Sequence, residues 1–143
     1  MGRNEMTPHL VDTHVLVWMM EANPRLSSAA RGIIRETAAN DGLFVSAITP
    51  WEIGLLVSKN RLILDTDVQL WIDRALSLPG IILQPLLPAI AVASTRLPWE
   101  MHPNPADRIL VATARHIGAT LITADQLLLQ YAAQGFLRCQ PAS

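Results

Sequence analysis

Four carboxylates in this chain, Asp12, Glu52, Asp107 and Asp125, stand where an apolar run gives way to a helical one. One acid at such a junction is ordinary. Four of them, spread over most of the sequence, imply a fold that gathers negative charge along one edge. Like charges brought together repel, so a carboxylate cluster is stable when it holds a cation. An all-oxygen donor set suits Mg²⁺ or Mn²⁺. Phosphoryl chemistry is the usual use of a hard divalent ion held this way.

Each acid also has a structural reading. Thr49-Pro50-Trp51-Glu52 has the form of a capping box with Pro at the first helical position. Asn104-Pro105-Ala106-Asp107 repeats that form. Asp125 follows Thr123, a cap candidate, and an acid in a first turn favours the helix dipole. Asp12 is harder to dismiss. It ends an apolar strand and precedes a helix with almost no polar residues, where an ionised carboxylate needs a cation or several donors. Thr13, Ser46 and Thr123 sit at the same edge, able either to orient carboxylates or to cap helices. Asp65-Thr66-Asp67 imitates Asp12-Thr13 but reads as a cap. The histidines have no zinc-site spacing. Arg108 and Arg115 read as ion-pair partners, with a phosphate as a further option for Arg108. Trp18, Trp51, Trp71 and Trp99 read as core or interface rather than as base-stacking platforms.

The elements that position these residues alternate in type. Strands are expected at His9–Val11, Leu43–Ser46 and Thr120–Thr123, with weaker candidates at Ile81–Leu83 and Phe136–Arg138; Leu62–Leu64 reads as strand or loop. Helices are expected over Thr13–Met20, from Ser27 or Ser28 to about Ala39, and from Thr49 to about Lys59. Others run from Asp65 or Thr66 to about Leu78, over Pro88–Leu97, over Pro105–Ile117 with Gly118 as terminator, and over Ala124–Ala133. Apolar strands alternating with helices point to an α/β sandwich with a mostly parallel sheet, whose ligands lie beyond the carboxyl ends of the strands. The helix from Pro105 to Ile117 spans roughly 20 Å at 1.5 Å per residue. The strand Thr120–Thr123 returns roughly 13 Å. Asp107 and Asp125 are thereby brought to the same edge. Right-handed crossovers do the same for Asp12 and Glu52.

The chain has 143 residues, half of them hydrophobic and 16% charged, which fits a single domain over 1–143 with short tails at 1–7 and 139–143. The net charge of −1 and a single lysine, Lys59, give no broad basic footprint for nucleic acid. One cysteine, Cys139, rules out an internal disulfide and fits a reducing compartment. No secretory signal, membrane span or myristoylation motif is read, so a cytoplasmic protein with no membrane partner is expected. A receiver domain would need a lysine after a late strand; Lys59 lies mid-chain.

Four blocks in order carry a family resemblance: Leu10-Val11-Asp12-Thr13-His14-Val15-Leu16-Val17-Trp18, Val45-Ser46-Ala47-Ile48-Thr49-Pro50-Trp51-Glu52-Ile53, His102-Pro103-Asn104-Pro105-Ala106-Asp107-Arg108-Ile109-Leu110-Val111-Ala112-Thr113-Ala114, and Leu121-Ile122-Thr123-Ala124-Asp125. The chain resembles the PIN-domain ribonucleases, most closely the VapC-type toxins of toxin–antitoxin pairs. Lys59-Asn60-Arg61-Leu62 resembles a stretch that often follows the second block, with Asn60 where many relatives have glycine. Asn104 stands where many have aspartate. The resemblance implies a three-layer α/β/α PIN-like fold and an Mg²⁺- or Mn²⁺-dependent endoribonuclease. Asp12 and Asp107 would be the nearest metal ligands, with Glu52 and Asp125 completing the pocket. It further implies an RNA substrate, a small VapB-like antitoxin that sets an arginine among the carboxylates, and a homodimer. The apolar helices near Thr13–Met20 and Thr49–Ser58 are the expected antitoxin surface. The alternatives are an RNA-processing PIN nuclease without an antitoxin and a catalytically silent PIN-fold binding module.

Overall fold

Short apolar runs bounded by turn residues make the strands of this chain. A computed structural model describes residues 7–100 and 104–143. His102 and all but Thr7 of the expected N-terminal tail lie outside the described residues. His9–Val11 (β1), Leu43–Ser46 (β2), Ile81–Gln84 (β3), Thr120–Thr123 (β4) and Cys139–Pro141 (β5) form one parallel sheet. Its order is β3-β2-β1-β4-β5. Leu10 of the central strand lies opposite Phe44 on one side and Leu121 on the other.

Strand residues alternate between faces, so a buried parallel sheet feeds two cores. Val11, Val45 and Ile122 pack with the first group of helices: Thr13–Met20 (α1), Ser28–Ala39 (α2), Ile48–Ser58 (α3) and Val68–Leu76 (α4). Ile34, Ile53 and Trp71 are among the side chains those helices contribute. Leu10 and Leu121 face the other way, onto Leu110 and Val111 of Pro105–Ile117 (α6) and Leu128 and Tyr131 of Gln126–Ala133 (α7). Pro88–Ser94 (α5) packs mainly on α6. The result is a three-layer α/β/α sandwich. No described helix is long and apolar enough to cross a membrane.

Several boundaries differ from the sequence reading, each for a local reason. The cap of α4 is Asp67, whose Oδ2 accepts N–H bonds from Gln69 and Leu70, rather than Asp65 or Thr66. That helix stops at Leu76, short of Leu78, and α5 stops at Ser94, short of Leu97. Leu62–Leu64 is loop. The last strand is Cys139–Pro141, not Phe136–Arg138. Gly135 leaves α7 with φ 92°, Leu137 turns inward, and pairing begins when the Arg138 carbonyl accepts the Leu121 N–H. The expected C-terminal tail is therefore structured. Ala142 is fully buried, its N–H bonded to the Thr123 carbonyl and its carbonyl accepting the Ser27 N–H at the cap of α2.

The strand order sets the position of the site. From β1 the chain winds outward through β2 to β3, and β4 and β5 lie on the other side. The topological switch point is thus between β1 and β4, where a crevice opens beyond the strand ends. Gly80 guards the geometry of the β3 side. It has φ 85°, and a Cβ there would lie 2.0 Å from the Ala38 carbonyl oxygen. Gly80→Ala is expected to lower stability by about 3 kcal/mol or more, from combined strain and overlap. Urea unfolding would reveal it; an unchanged midpoint would mean that α2 does not sit against this turn.

Candidate functional site

Asp12 follows the last residue of β1, and its backbone N–H extends the ladder to the Ile122 carbonyl at 3.1 Å. Its side chain caps α1: Oδ1 accepts the Val15 N–H at 2.8 Å. The other oxygen, Oδ2, accepts the Thr123 hydroxyl. The residue is 7% exposed. Burial is the main cause that drives its carboxyl pKa upward, and the negative charge of Glu52 adds to it. The Thr123 and Val15 hydrogen bonds and the nearby His14 pull the other way and do not cancel the burial. The ionised form is therefore under-compensated. Its charge reaches Cys139 as well, whose thiol is pushed up to about 12, mainly by its own burial.

Thr123 is not the cap of α7. Its hydroxyl donates to Asp12 and accepts the Asp125 N–H at 3.0 Å, so one side chain ties the first acid to the backbone of the last. Asp125 itself is the cap, with Oδ1 accepting the N–H groups of Leu127 at 2.8 Å and Leu128 at 3.1 Å.

Glu52 is not part of a capping box. The helix starts earlier, at Ile48, whose N–H bonds the Ser46 hydroxyl at 3.1 Å; the N-cap Ala47 has no side chain to offer. Glu52 therefore lies past the first turn of α3. Its Oε1 is 2.5 Å from Thr13 Oγ1, which is also 3.3 Å from Thr49 Oγ1. A carboxylate can only accept, so the Thr13 proton goes to Glu52, and the Thr49 hydroxyl is left to donate to Thr13. This relay, buried at Thr13 and Thr49 and half-buried at Glu52, links α1 to α3 across 39 residues of sequence. Ser46 serves the helix start and, among the described residues, bonds no acid.

Asp107 sits in the first turn of α6, behind the cap Asn104, whose Oδ1 accepts the Ala106 N–H at 3.0 Å. The departure at Asn104 thus keeps a capping function. Arg108 and Arg115 bond backbone carbonyls, of Ser94 and Phe136 respectively, where ion pairs were expected. Trp71 is core, while Trp51 and Trp99 are exposed.

All four acids line one cavity of about 260 Å³ at the switch point. Thr13, His14, Trp18 and Asn104 line it too. His14 and Trp18 were not read as site residues, although their spacing of four on α1 places both on one helix face. Among the described residues, no three His, Cys, Asp or Glu side chains converge tightly enough to hold a metal ion. The donors nonetheless fit a hard divalent cation in kind: carboxylate oxygens facing a shared cavity, one of them buried with its charge under-compensated.

The PIN domain model matches residues 9–134. Ribonuclease VapC22 of Mycobacterium tuberculosis (strain ATCC 25618 / H37Rv) is 32% identical over 123 residues, 86% of this chain and 91% of that protein. VapBC2 from Rickettsia felis, in a crystal structure bound to a DNA fragment from their promoter, has the same fold. Its TM-score is 0.69 at 16% identity, over 94% of this chain and 98% of that one. A toxin-antitoxin complex from Klebsiella pneumoniae matches with TM-score 0.56 at 21% identity, over 82% and 86%.

The upward shift of Asp12 has a definite sign for stability. A carboxyl with a raised folded pKa binds more protons folded than unfolded. Without a divalent cation, its contribution is greatest below the ordinary value of 3.8 and is lost as pH rises through the folded pKa. In EDTA, denaturation midpoints across this range should fall with pH for the wild type relative to Asp12→Asn. At neutral pH Mg²⁺ should raise the wild-type midpoint and leave that of the variant unchanged. Parallel pH profiles for the two proteins would contradict the burial of charge at Asp12.

Proposed function

The chain belongs to the PIN-domain family, and from that premise we propose that it is an Mg²⁺- or Mn²⁺-dependent endoribonuclease serving as the toxin of a toxin–antitoxin pair. The observation that carries this reading is the meeting of Asp12, Glu52, Asp107 and Asp125 in one cavity at the switch point. Identity of 32% to a protein named a ribonuclease supports the activity.

Asp12 and Asp107 would be the nearest ligands of the cation, with Glu52 and Asp125 completing its surroundings. Once bound, the ion supplies Lewis acidity toward a phosphoryl oxygen and neutralises charge on the transferring group. The chain's own residues do the positioning. Thr123 holds Asp12 with a hydroxyl donor, and Val15 fixes the second oxygen through its backbone. Thr13 holds Glu52 in the same way. The acid cluster repels an RNA phosphate until its charge is balanced, so substrate binding follows cation binding. A water oxygen then forms a bond to phosphorus, the bond to the 3′ oxygen breaks, and the products carry a 5′-phosphate and a 3′-hydroxyl.

The same electrostatics suit an antitoxin. A guanidinium is always charged and matches carboxylates in planar pairs, so an arginine of a small VapB-like partner would take the cation's place and silence the site. The relative titled a toxin-antitoxin complex supports such a partner. Helices α1 and α3, which carry Trp18 and the exposed Trp51, are the proposed contact. A homodimer would cover the exposed apolar group of Leu83, Leu86, Leu87 and Val92.

Purified protein should cleave single-stranded RNA with Mg²⁺ or Mn²⁺ and stop with EDTA. Thr123→Val and Thr13→Val, which loosen a ligand's support, should each lower the rate about 10- to 100-fold, and Asp12→Asn by more. Cleavage that persists in EDTA, or in Asp12→Asn, would overturn the metal-dependent reading. Growth arrest on expression, relieved by the product of the neighbouring gene, checks the toxin role; arrest that no neighbour relieves argues for an RNA-processing nuclease.

A further inference from the structure

We propose that the groove beside Trp99 is a subsite for one unpaired base of the RNA strand whose phosphate enters the acid cavity, an inference that rests on the ribonuclease reading above. Trp99 has φ 63°, a left-handed conformation that disfavours a bulky side chain. It is also 64% exposed. Burial of the indole therefore does not explain why the strain is kept. What holds it is an aromatic stack. Trp99 lies on Phe136 at 6.2 Å between centroids and 30° between planes, and Phe136 is tilted against Tyr131 at 5.5 Å and 37°. The Tyr131 hydroxyl in turn donates to the Pro98 carbonyl at 2.6 Å, fixing the segment that presents the indole. The ring is backed by Phe136 and keeps much of its surface in solvent.

That indole forms the wall of a cavity of about 190 Å³ with Glu100, Leu127, Gln130, Tyr131 and Gln134. Leu127 and Gln130 share one face of α7 by their spacing of three, and Gln134 caps its C-terminal end. Among the described residues, the side chains of Glu100, Gln130 and Gln134 make no hydrogen bond. Two amides offer donors and acceptors, and a carboxylate offers acceptors only. This set matches the edge of a base that presents ring or amino N–H groups. It repels a phosphate, so the groove suits a base and not the backbone. Aromatic stacking is the common way to hold unpaired bases.

The groove and the acid cavity are joined by α7. Asp125, which lines the cavity, caps α7, and Leu127 of the same helix lines the groove. From Leu127 to Gln134 the groove follows α7 for roughly 10 Å at 1.5 Å per residue. A strand leaving the cavity along α7 therefore passes the indole.

The test uses the full chain, Mg²⁺ and a short single-stranded oligoribonucleotide that the wild type cleaves. Glycine accepts the backbone conformation at position 99 better than tryptophan does, so Trp99→Gly removes the ring without adding strain. It should raise KM about tenfold, with the loss falling on KM more than on kcat, and Trp99→Phe should restore most of it. An abasic nucleotide moved along the strand should reproduce the KM rise at one position in the wild type and add nothing further in Trp99→Gly. An unchanged KM in Trp99→Gly, or additive losses at every abasic position, would overturn the subsite and leave the ribonuclease reading standing. A shift in oligomeric mass or antitoxin binding with KM unchanged would assign the groove to a protein and overturn the subsite as well. A wild type that neither binds nor cleaves RNA would overturn both.

Discussion

The desolvated carboxylate of Asp12 is the constraint around which this site is built. It stands at the end of a strand whose Leu10 and Val11 are fully buried, before a helix that buries Val15, Leu16 and Val17. Two neutral donors, the Val15 N–H and the Thr123 hydroxyl, hold its oxygens. Neutral donors orient an anion, but they do not balance its charge in a medium of low dielectric. The unmet demand for positive charge gives the cavity its chemistry. In the proposed function a divalent cation would meet it in the active state and an antitoxin arginine would meet it in the silent state.

Topology turns one such residue into a site. In a parallel sheet every strand delivers its following residue to the same edge, and the order β3-β2-β1-β4-β5 leaves the crevice between β1 and β4. Asp12 and Asp125 arrive from these two strands. Thr123, the last residue of β4, bonds the side chain of one and the backbone of the other. Glu52 is recruited from α3 through Thr13 and Thr49, and Asp107 arrives at the start of α6. Helix capping and site building are thus done by the same residues: Asp12 and Asp125 each cap a helix while lining the cavity.

Much of this was legible in the sequence, for a physical reason. The bounds of β1, α1, β2, α6 and β4 follow from sharp local contrasts: apolar runs meeting Asp12, Ser46 and Thr123, Pro105 opening a helix, Gly118 closing it at φ 68°. Features set by distant partners were not legible. Cys139-Gln140-Pro141 has little strand character of its own and becomes β5 because β4 offers an open edge. The capping-box pattern at Thr49 is a local signal that lost to a half-buried bond between Thr13 and Glu52. Asp125 was read as a first-turn acid behind a Thr123 cap because sequence does not say which of two adjacent polar residues turns outward. Trp99 gave no sign of its exposure, which depends on Phe136 and Tyr131 behind it.

The central claim of the proposed function is that the four acids, which reach one cavity from four separate segments, would together hold a divalent cation. Paramagnetic resonance of Mn²⁺ tests it without reference to any substrate. Titrating the chain into Mn²⁺ should remove the signal of the free ion. Asp12→Asn and Asp107→Asn should restore most of that signal, and Glu52→Gln and Asp125→Asn should restore part of it. Mn²⁺ that stays free in the presence of the wild type, or that binds all four variants as it binds the wild type, would contradict the claim.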